Sequence, residues 1–563
     1  MKSQLVWLGA MAWMSCAVVN AQQNVLMIIA DDLGVDRVGA YAEHPDPGNT
    51  PVLDGLAAGG MLFRHAWANP GCSPTRATVL TGRYAHRTGL GNAISFSGSQ
   101  QELLLEETTL AELLQPTMAT WAVGKWHLAS SAGSGAVHPL LQGFDTHIGP
   151  LANLPGGLVG NGYDSYTKFI DGLPVANNGY ATTEQVDDAL ALIAGATGPW
   201  FCSLSFNAAH APFHAPPAAL HSFTLPASIA DDIPLAMKAM VEAMDTEIGR
   251  LLAGLGPSVL AQTLVVFVGD NGTAGLATTA PFNPAHGKGT IFDGGIRVPL
   301  IVAGPGVAVG SECVGLVNTT DLFATIAEAM GVSQTTGDDS VSLVPYFSDP
   351  GQPSLRNHIY SEWFFTNGQG PFLSRRRTAR DDRYKLNYDY GANASPQLVE
   401  FFDLTSDPFE ANDLLQGSLG VAEQSALVAL QSAMDGLDTF VPWQTLGTSL
   451  AGDLGPPVLV ATGALGAGET LGFLVSNTPP LSGVVRVVGF ANISFAFSGG
   501  VMVPSPDVLL TLGTDAAGAM ALTAVWPAGV PAGLTLFLQD WVLDASGPAG
   551  FTSTRAVMAT TVP

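Results

Sequence analysis

Residues 72–83 read Cys-Ser-Pro-Thr-Arg-Ala-Thr-Val-Leu-Thr-Gly-Arg. Proline suits a first helical turn and glycine a helix stop, so Pro74 and Gly82 bracket a short helix. Cys72 then stands at or just before the helix N-terminus, where backbone N–H groups and the dipole favour an anion. Arg76 lies one turn along on the same face. Asp31-Asp32 and Asp270-Asn271-Gly272 add four oxygen donors, a set without His or Cys that suits a hard cation such as Ca²⁺ over zinc. Lys125 and His127 alternate in Gly124-Lys125-Trp126-His127-Leu128, so on an extended segment both point to one face. His210 and His214 follow another apolar run, with His210 nearer its end, and Lys288 lies in a glycine-rich loop. Taken singly, these are a buried thiol, helix caps, turns, solvated lysines and hydrogen-bonded histidines. Chemistry requires that they meet.

The elements between them allow that. Asp31-Asp32 close the apolar run 24–30, and similar runs recur at 118–123, 200–206, 263–268 and 300–302. Helical patterns at 109–114, 183–193 and 235–255 lie between the runs. Buried strands alternating with helices predict an α/β domain with a mainly parallel central sheet. Ligands gather at the carboxyl ends of such strands. There Asp31, Asp32, Lys125, His210, Asp270 and Asn271 would converge.

From about residue 357 the pattern changes. Segments 359–365, 376–388 and 398–404 read as antiparallel strands, and a helix follows over 421–437. Residues 451–563 contain no Lys, His or Cys, and only Arg486 and Arg555 among basic residues. Their short β-rich runs between Gly and Pro turns predict an appended β-sandwich. A metal or acid–base site is not expected in it.

Length and composition set the outer limits. A chain of 563 residues calls for about two to four domains. Charged residues make up 12%, about half of the ~25% usual in globular chains, so the chain is a folded one. Acidic residues outnumber basic ones 47 to 21, which excludes nucleic acid and argues against an anionic membrane surface. Residues 1–21 read as a secretory signal: Lys2 is the positive end, an apolar stretch follows, and cleavage falls after Ala21. That stretch is shorter than the ~20 residues a spanning helix needs, and no later segment is long and apolar enough. Export to the periplasm or beyond follows. Removing Cys16 leaves Cys72, Cys202 and Cys313, an odd number that asks for an explanation. Cys202 lies in a buried strand pattern, and a Cys202–Cys313 bridge stays open.

The run from Cys72 to Arg83 matches the signature of the type I, formylglycine-dependent sulfatases at every defining position. Gly124-Lys125-Trp126-His127-Leu128, the His210 segment, 286–299 and the phrase at 400–410 also resemble that family. The likeness runs with gaps from about residue 24 to 415. Short phrases at 87–90 and 143–146, together with the His210 segment, look like its arylsulfatase B branch. Asp293 stands where the family has Glu, one methylene shorter, a difference that falls on the packing of its loop. The resemblance implies an alkaline phosphatase-like catalytic domain over 22–356 and a small antiparallel C-terminal subdomain over 357–445, ahead of the 451–563 module.

It also implies roles. Cys72 would be oxidised to formylglycine by a maturation enzyme, which explains the odd cysteine. One Ca²⁺ would sit on Asp31, Asp32, Asp270, Asn271 and the modified Cys72. Lys125 and Lys288 would bind sulfate oxygens, and Arg76 would hold the formylglycine diol. His127 would hold and deprotonate that diol, and His210 would lie near the leaving-group oxygen. The implied activity is hydrolysis of sulfate monoesters, either aryl sulfates or sulfated carbohydrates. Two other readings accompany it: a phosphonate monoester or phosphodiester hydrolase using the same modified cysteine, and a catalytically decayed binding protein.

Overall fold

The computed structural model describes residues 24–97, 101–333, 337–368, 372, 374–390, 396–437, 443–446, 449–462, 465–531 and 534–561. The signal segment expected at 1–21 lies outside them. Among the described residues no helix is long and apolar enough to cross a membrane. The chain divides into two units, Met1–Met434 and Asp435–Pro563.

A ten-stranded sheet organises the first unit. Its strands are β1 Asn24–Ala30, β2 Met61–Trp67, β3 Ala119–Gly124, β4 Thr146–Gly149, β5 Tyr166–Ile170, β6 Leu173–Asn177, β7 Trp200–Ser205, β8 Thr263–Gly269, β9 Leu300–Ala303 and β10 Ser311–Asn318. They lie in the order β10-β2-β9-β8-β1-β7-β3-β4-β5-β6. The run from β8 to β4 is parallel throughout. β9 is antiparallel to both β2 and β8, and β5 to both β4 and β6, so the sheet is mixed. β1 shows why its sequence is apolar without alternation. Val25, Met27 and Ile29 enter the core on one face, while Leu26, Ile28 and Ala30 enter the core on the other.

The signature helix spans Cys72–Thr81, with Gly71 as its N-cap at φ −152°. Gly82 ends it at φ +67°, where its N–H reaches Thr78 O at 2.9 Å, a left-handed stop that favours glycine. Ala77, Val79 and Leu80 anchor this helix in one core, so the position of Cys72 is set by packing. Helix Leu110–Leu114 carries a complete capping box from Thr109 and Glu112.

A second sheet is antiparallel: β11 Ile359–Phe365, β12 Ser374–Arg380, β13 Tyr384–Tyr390 and β14 Pro396–Asp403. The single strand expected at 376–388 is therefore a hairpin. Asp381 turns it by accepting from the N–H groups of Arg383 (2.8 Å) and Tyr384 (2.6 Å). Helix Val421–Leu437 follows, with Leu430 and Met434 buried.

The second unit is β-rich, and among its described residues every strand pairing is antiparallel. Leu459, Phe473 and Val475 on a three-stranded sheet share one core with Val484, Leu538 and Val557 of a six-stranded one. Two sheets facing across a common core make a sandwich. Arg486 and Asp540 are buried inside it as a two-point pair, both contacts at 2.8 Å.

All three described cysteines are free and buried. Cys202 on β7 and Cys313 on β10 are separated by four intervening strands, each step about 4.8 Å, far beyond disulfide reach.

Candidate active site

The carboxyl ends of β1, β3, β7 and β8 deliver the expected residues to one place. Asp31 follows β1, Lys125 follows β3, and Asp270-Asn271 follow β8. Backbone bonds between the strand ends fix them: Asp270 N to Ala30 O at 2.9 Å, Lys125 N to Ser205 O at 2.8 Å, and Asp31 N to Ala208 O at 2.9 Å.

Cys72 Sγ lies 3.3 Å from Asp31 Oδ1 and 3.6 Å from Lys288 Nζ. Lys125 Nζ pairs with Asp31 Oδ2. Arg76 grips Asp270 Oδ2 with Nε (3.2 Å) and Nη2 (2.8 Å), and donates from Nη1 to Lys125 O at 2.9 Å. Lys288 Nζ is 2.5 Å from Asp32 Oδ1, which also accepts from Asn271 Nδ2 at 2.8 Å. His210 Nε2 stands 3.9 Å from Asp32 Oδ2. Asp31, Asp32, Cys72 and His210 offer donor atoms within 4.8 Å of one another, a group able to hold a metal.

Burial penalises charge here, and neighbours decide the outcome. It would raise the Asp31 carboxyl, but Lys125, His210, Arg76 and Lys288 together hold it well below the usual carboxylate range. Asp270 goes the other way: burial, then the Asp31 carboxylate, push it up to about 7 despite Arg76. Burial and Asp31 also push the Cys72 thiol up, so as a plain thiol it is a poor nucleophile. His127 is driven well below its ordinary value by burial and by Lys125 and Arg76, which keeps it neutral.

The residues fit a hard cation. Four oxygen-bearing side chains, Asp31, Asp32, Asp270 and Asn271, are buried together. Asn271 Oδ1 is buried without a hydrogen-bond partner, and the raised Asp270 carboxyl is short of positive charge. A divalent ion on that set would meet both.

His127 sits beside the cluster by a route that alternation did not foresee. Its φ is +61°, so the segment is not extended and the two-residue spacing does not explain its direction. Instead His127 N bonds Leu151 O at 3.0 Å and Nε2 meets Ile94 O at 2.9 Å, which leaves Nδ1 buried and unpartnered. Ser73, next to Cys72, ties this loop down by donating to His127 O at 2.8 Å and accepting from Ile94 N at 3.0 Å.

The two histidines after β7 separate clearly. His214 is buried, stacked on Tyr163 at 4.1 Å, with Nδ1 at 2.9 Å from Pro212 O and Nε2 at 3.1 Å from Tyr180 OH. It is a packing residue. His210 Nδ1 is 2.6 Å from Ala211 O, so Nδ1 carries the proton and Nε2 faces the cluster. Tyr163 OH, in the loop after β4, lies 2.5 Å from Asn207 O and 2.8 Å from His210 O and holds this segment. That role was not legible in the sequence, because a tyrosine in a loop has no spacing rule.

The shorter Asp293 is accommodated by the second sheet. Lys385 Nζ from β13 reaches Asp293 Oδ1 at 3.3 Å and Glu410 Oε1 at 2.7 Å, and Glu410 Oε2 accepts Asp293 N at 2.5 Å. Burial raises the Asp293 carboxyl, but Lys385 and Arg297 outweigh it and hold it at about 2.

Comparison with known proteins agrees with this geometry. The profile of the family described as Sulfatase matches residues 23–332, and that of N-sulphoglucosamine sulphohydrolase, C-terminal, matches 285–432. Arylsulfatase A from Homo sapiens is 28% identical over 479 residues, covering 75% of this chain and 90% of that protein. N-acetylgalactosamine-6-sulfatase from Sus scrofa is 32% identical over 357 residues, covering 57% of this chain and 65% of its own length. The solved structure of Ps i-CgsB in complex with k-i-k-neocarrahexaose superposes with a TM-score of 0.62 at 24% identity, over 74% of this chain and 92% of that one. These matches reach the family and do not separate the arylsulfatase B branch from its neighbours. With the signature cysteine on its helix, the carboxylates at the strand ends and a family match over more than half its length, the chain belongs to the sulfatases.

Proposed function

We propose that this sulfatase cleaves aryl sulfates or sulfated carbohydrates at the Cys72 cluster, releasing alcohol and inorganic sulfate. The observation that carries the reading is charge. Asp31, Asp32 and Asp270 face Arg76, Lys125 and Lys288, three carboxylates against three cations in one buried cluster. One divalent ion, which we take to be Ca²⁺, would leave the cluster positive by two and attract an anionic ester. The ion on Asp31, Asp32, Asp270 and Asn271 would polarise a sulfuryl oxygen. Formylglycine at Cys72, in hydrated form, would supply the nucleophilic hydroxyl that the raised thiol cannot.

The chain's own residues supply the rest. Neutral His127, with Nδ1 unpartnered, accepts the proton of the nucleophile. Lys125 and Lys288 neutralise charge on the transferring group, and Arg76 holds the nucleophile through its place on the Cys72 helix. His210 protonates the departing alcohol from Nε2. A signal at 1–21 would export the chain, and a formylglycine-generating enzyme would be its maturation partner.

Side-by-side turnover of nitrophenyl sulfate and bis(nitrophenyl) phosphate tests the reading. Sulfate should be the preferred substrate. A clear preference for the phosphate diester would move the chain to the diesterase reading, and no turnover of either by formylglycine-bearing protein would support a decayed binding protein.

A further inference from the structure

β11 brings a large aromatic side chain against the residue before the nucleophile. Along this strand alternate side chains take opposite faces. Glu362 accepts from His86 N at 2.8 Å on one face, where Phe364 meets Gly91. On the other face Ser361 Oγ donates to Ala68 O at 2.8 Å, in the segment leading to Cys72. Trp363 shares that face. A Cβ on Gly71 would stand 2.4 Å from Cζ3 and 2.9 Å from Cη2 of its indole, so the ring edge rests on the Gly71 backbone and excludes every other residue there.

The ring is not fully enclosed. Trp363 is half-buried, and its neighbour Phe365 lies edge-on at 5.6 Å with 40% of its surface open. Lys288 and His210, the partly open members of the cluster, keep 23% and 17% of their side chains exposed. Pro70 O accepts from Gly289 N at 2.9 Å, which sets the Lys288 loop beside the segment that Trp363 covers. Arg376 pairs with Trp363 across β11 and β12, and its exposed guanidinium is already bound to Asp389 at 2.9 Å, which leaves Lys288 and His210 as the groups that face an anion. Trp363 thus lies beside the segment that runs into the cationic Cys72 cluster.

An aromatic face held beside a cationic cluster binds the flat apolar face of a ring, and an anion next to that ring meets the cations. We propose that Trp363 is a specificity-determining residue whose indole stacks on the ring carrying the sulfate, whether a pyranose or an aryl ring. The assignment rests on the sulfate ester reading above and adds to it a contact with the part of the substrate that does not react.

Three substrates test it: nitrophenyl sulfate, a monosaccharide sulfate and a short linear alkyl sulfate with no ring. Trp363→Ala should lower kcat/KM roughly 3- to 10-fold on a ring-bearing substrate, mainly through KM, the size of one aromatic contact. The alkyl sulfate should change less than about twofold, and Trp363→Phe should recover most of the loss. Loss confined to the sugar or to the aryl ester would name the ring, and loss on both would assign the shared chemistry. Equal loss on all three substrates would overturn the proposal, since Trp363 would then only support Gly71. No loss on either ring would overturn it as well. Wild-type protein inactive on every sulfate ester would sink the sulfatase reading together with it.

Discussion

Replacing His210 by Ala discriminates between its proposed role and mere proximity. Nδ1 is committed to Ala211 O at 2.6 Å, so a second proton on Nε2 is what the departing alcohol would receive. General acid catalysis is worth about 10²–10⁴ in rate, or about 3–5 kcal/mol of barrier. A sugar alkoxide needs that proton in full, whereas nitrophenolate leaves almost without it. His210→Ala should therefore cost about 10²–10⁴ in kcat on a sugar sulfate and no more than about tenfold on nitrophenyl sulfate. The pH profile carries the same signature. Burial lowers the imidazolium below its ordinary 6.5 while Asp32 pulls it back up. The acid form is present below the folded-state pKa and is lost as pH rises through it. Wild-type turnover of a sugar sulfate should decline on the alkaline side from below about 6.5, and this limb should vanish in His210→Ala. Steady-state kinetics on both esters across pH is the assay. Equal losses on the two esters, or an alkaline limb that survives the substitution, would refute the role.

Lys288→Met removes one cation 3.6 Å from Cys72 Sγ and should lower kcat by about 10²–10³, as loss of one preorganised donor does. A rise in KM alone would instead make Lys288 a ground-state contact. Chelation with EDTA should abolish turnover and lower the unfolding temperature of the first unit, and added Ca²⁺ should restore both. An ion at 100 times its Kd stabilises by about 2.7 kcal/mol, so a thermal scan that ignores Ca²⁺ would count against the four-oxygen site. In the second unit, Asp540→Ala leaves Arg486 buried and unpaired, and should cost about 3–5 kcal/mol in chemical denaturation. The double change Arg486→Met with Asp540→Leu should recover most of that loss.

The sequence was most legible where physics is local. β1 and β7 are continuous apolar runs because both faces are buried, and their positions were readable to within a residue. The Cys72 helix was readable from Pro74 and Gly82, since each residue acts on the backbone around it. β2 was not legible, because Arg64 and His65 break its apolar run, and Arg64 finds its partner Glu312 on β10 only after folding. β6 is a short exposed edge strand interrupted by Pro174, a residue that argues against a strand in sequence. In the candidate site, Asp31, Lys125 and Asp270 could be placed from topology, because strand ends converge. His127 could not, since a left-handed backbone redirected it. Trp363 was also out of reach: its closeness to Gly71 depends on how the second sheet packs, which no spacing encodes.

The central claim is that modified Cys72 is the nucleophile for sulfate ester cleavage. Mass spectrometry of the peptide spanning Cys72, taken from a preparation with measured turnover of nitrophenyl sulfate, tests it directly. Formylglycine should be present at Cys72 in proportion to specific activity, and Cys72→Ala should be folded and inactive. Full activity from protein whose Cys72 is an unmodified thiol would contradict the account.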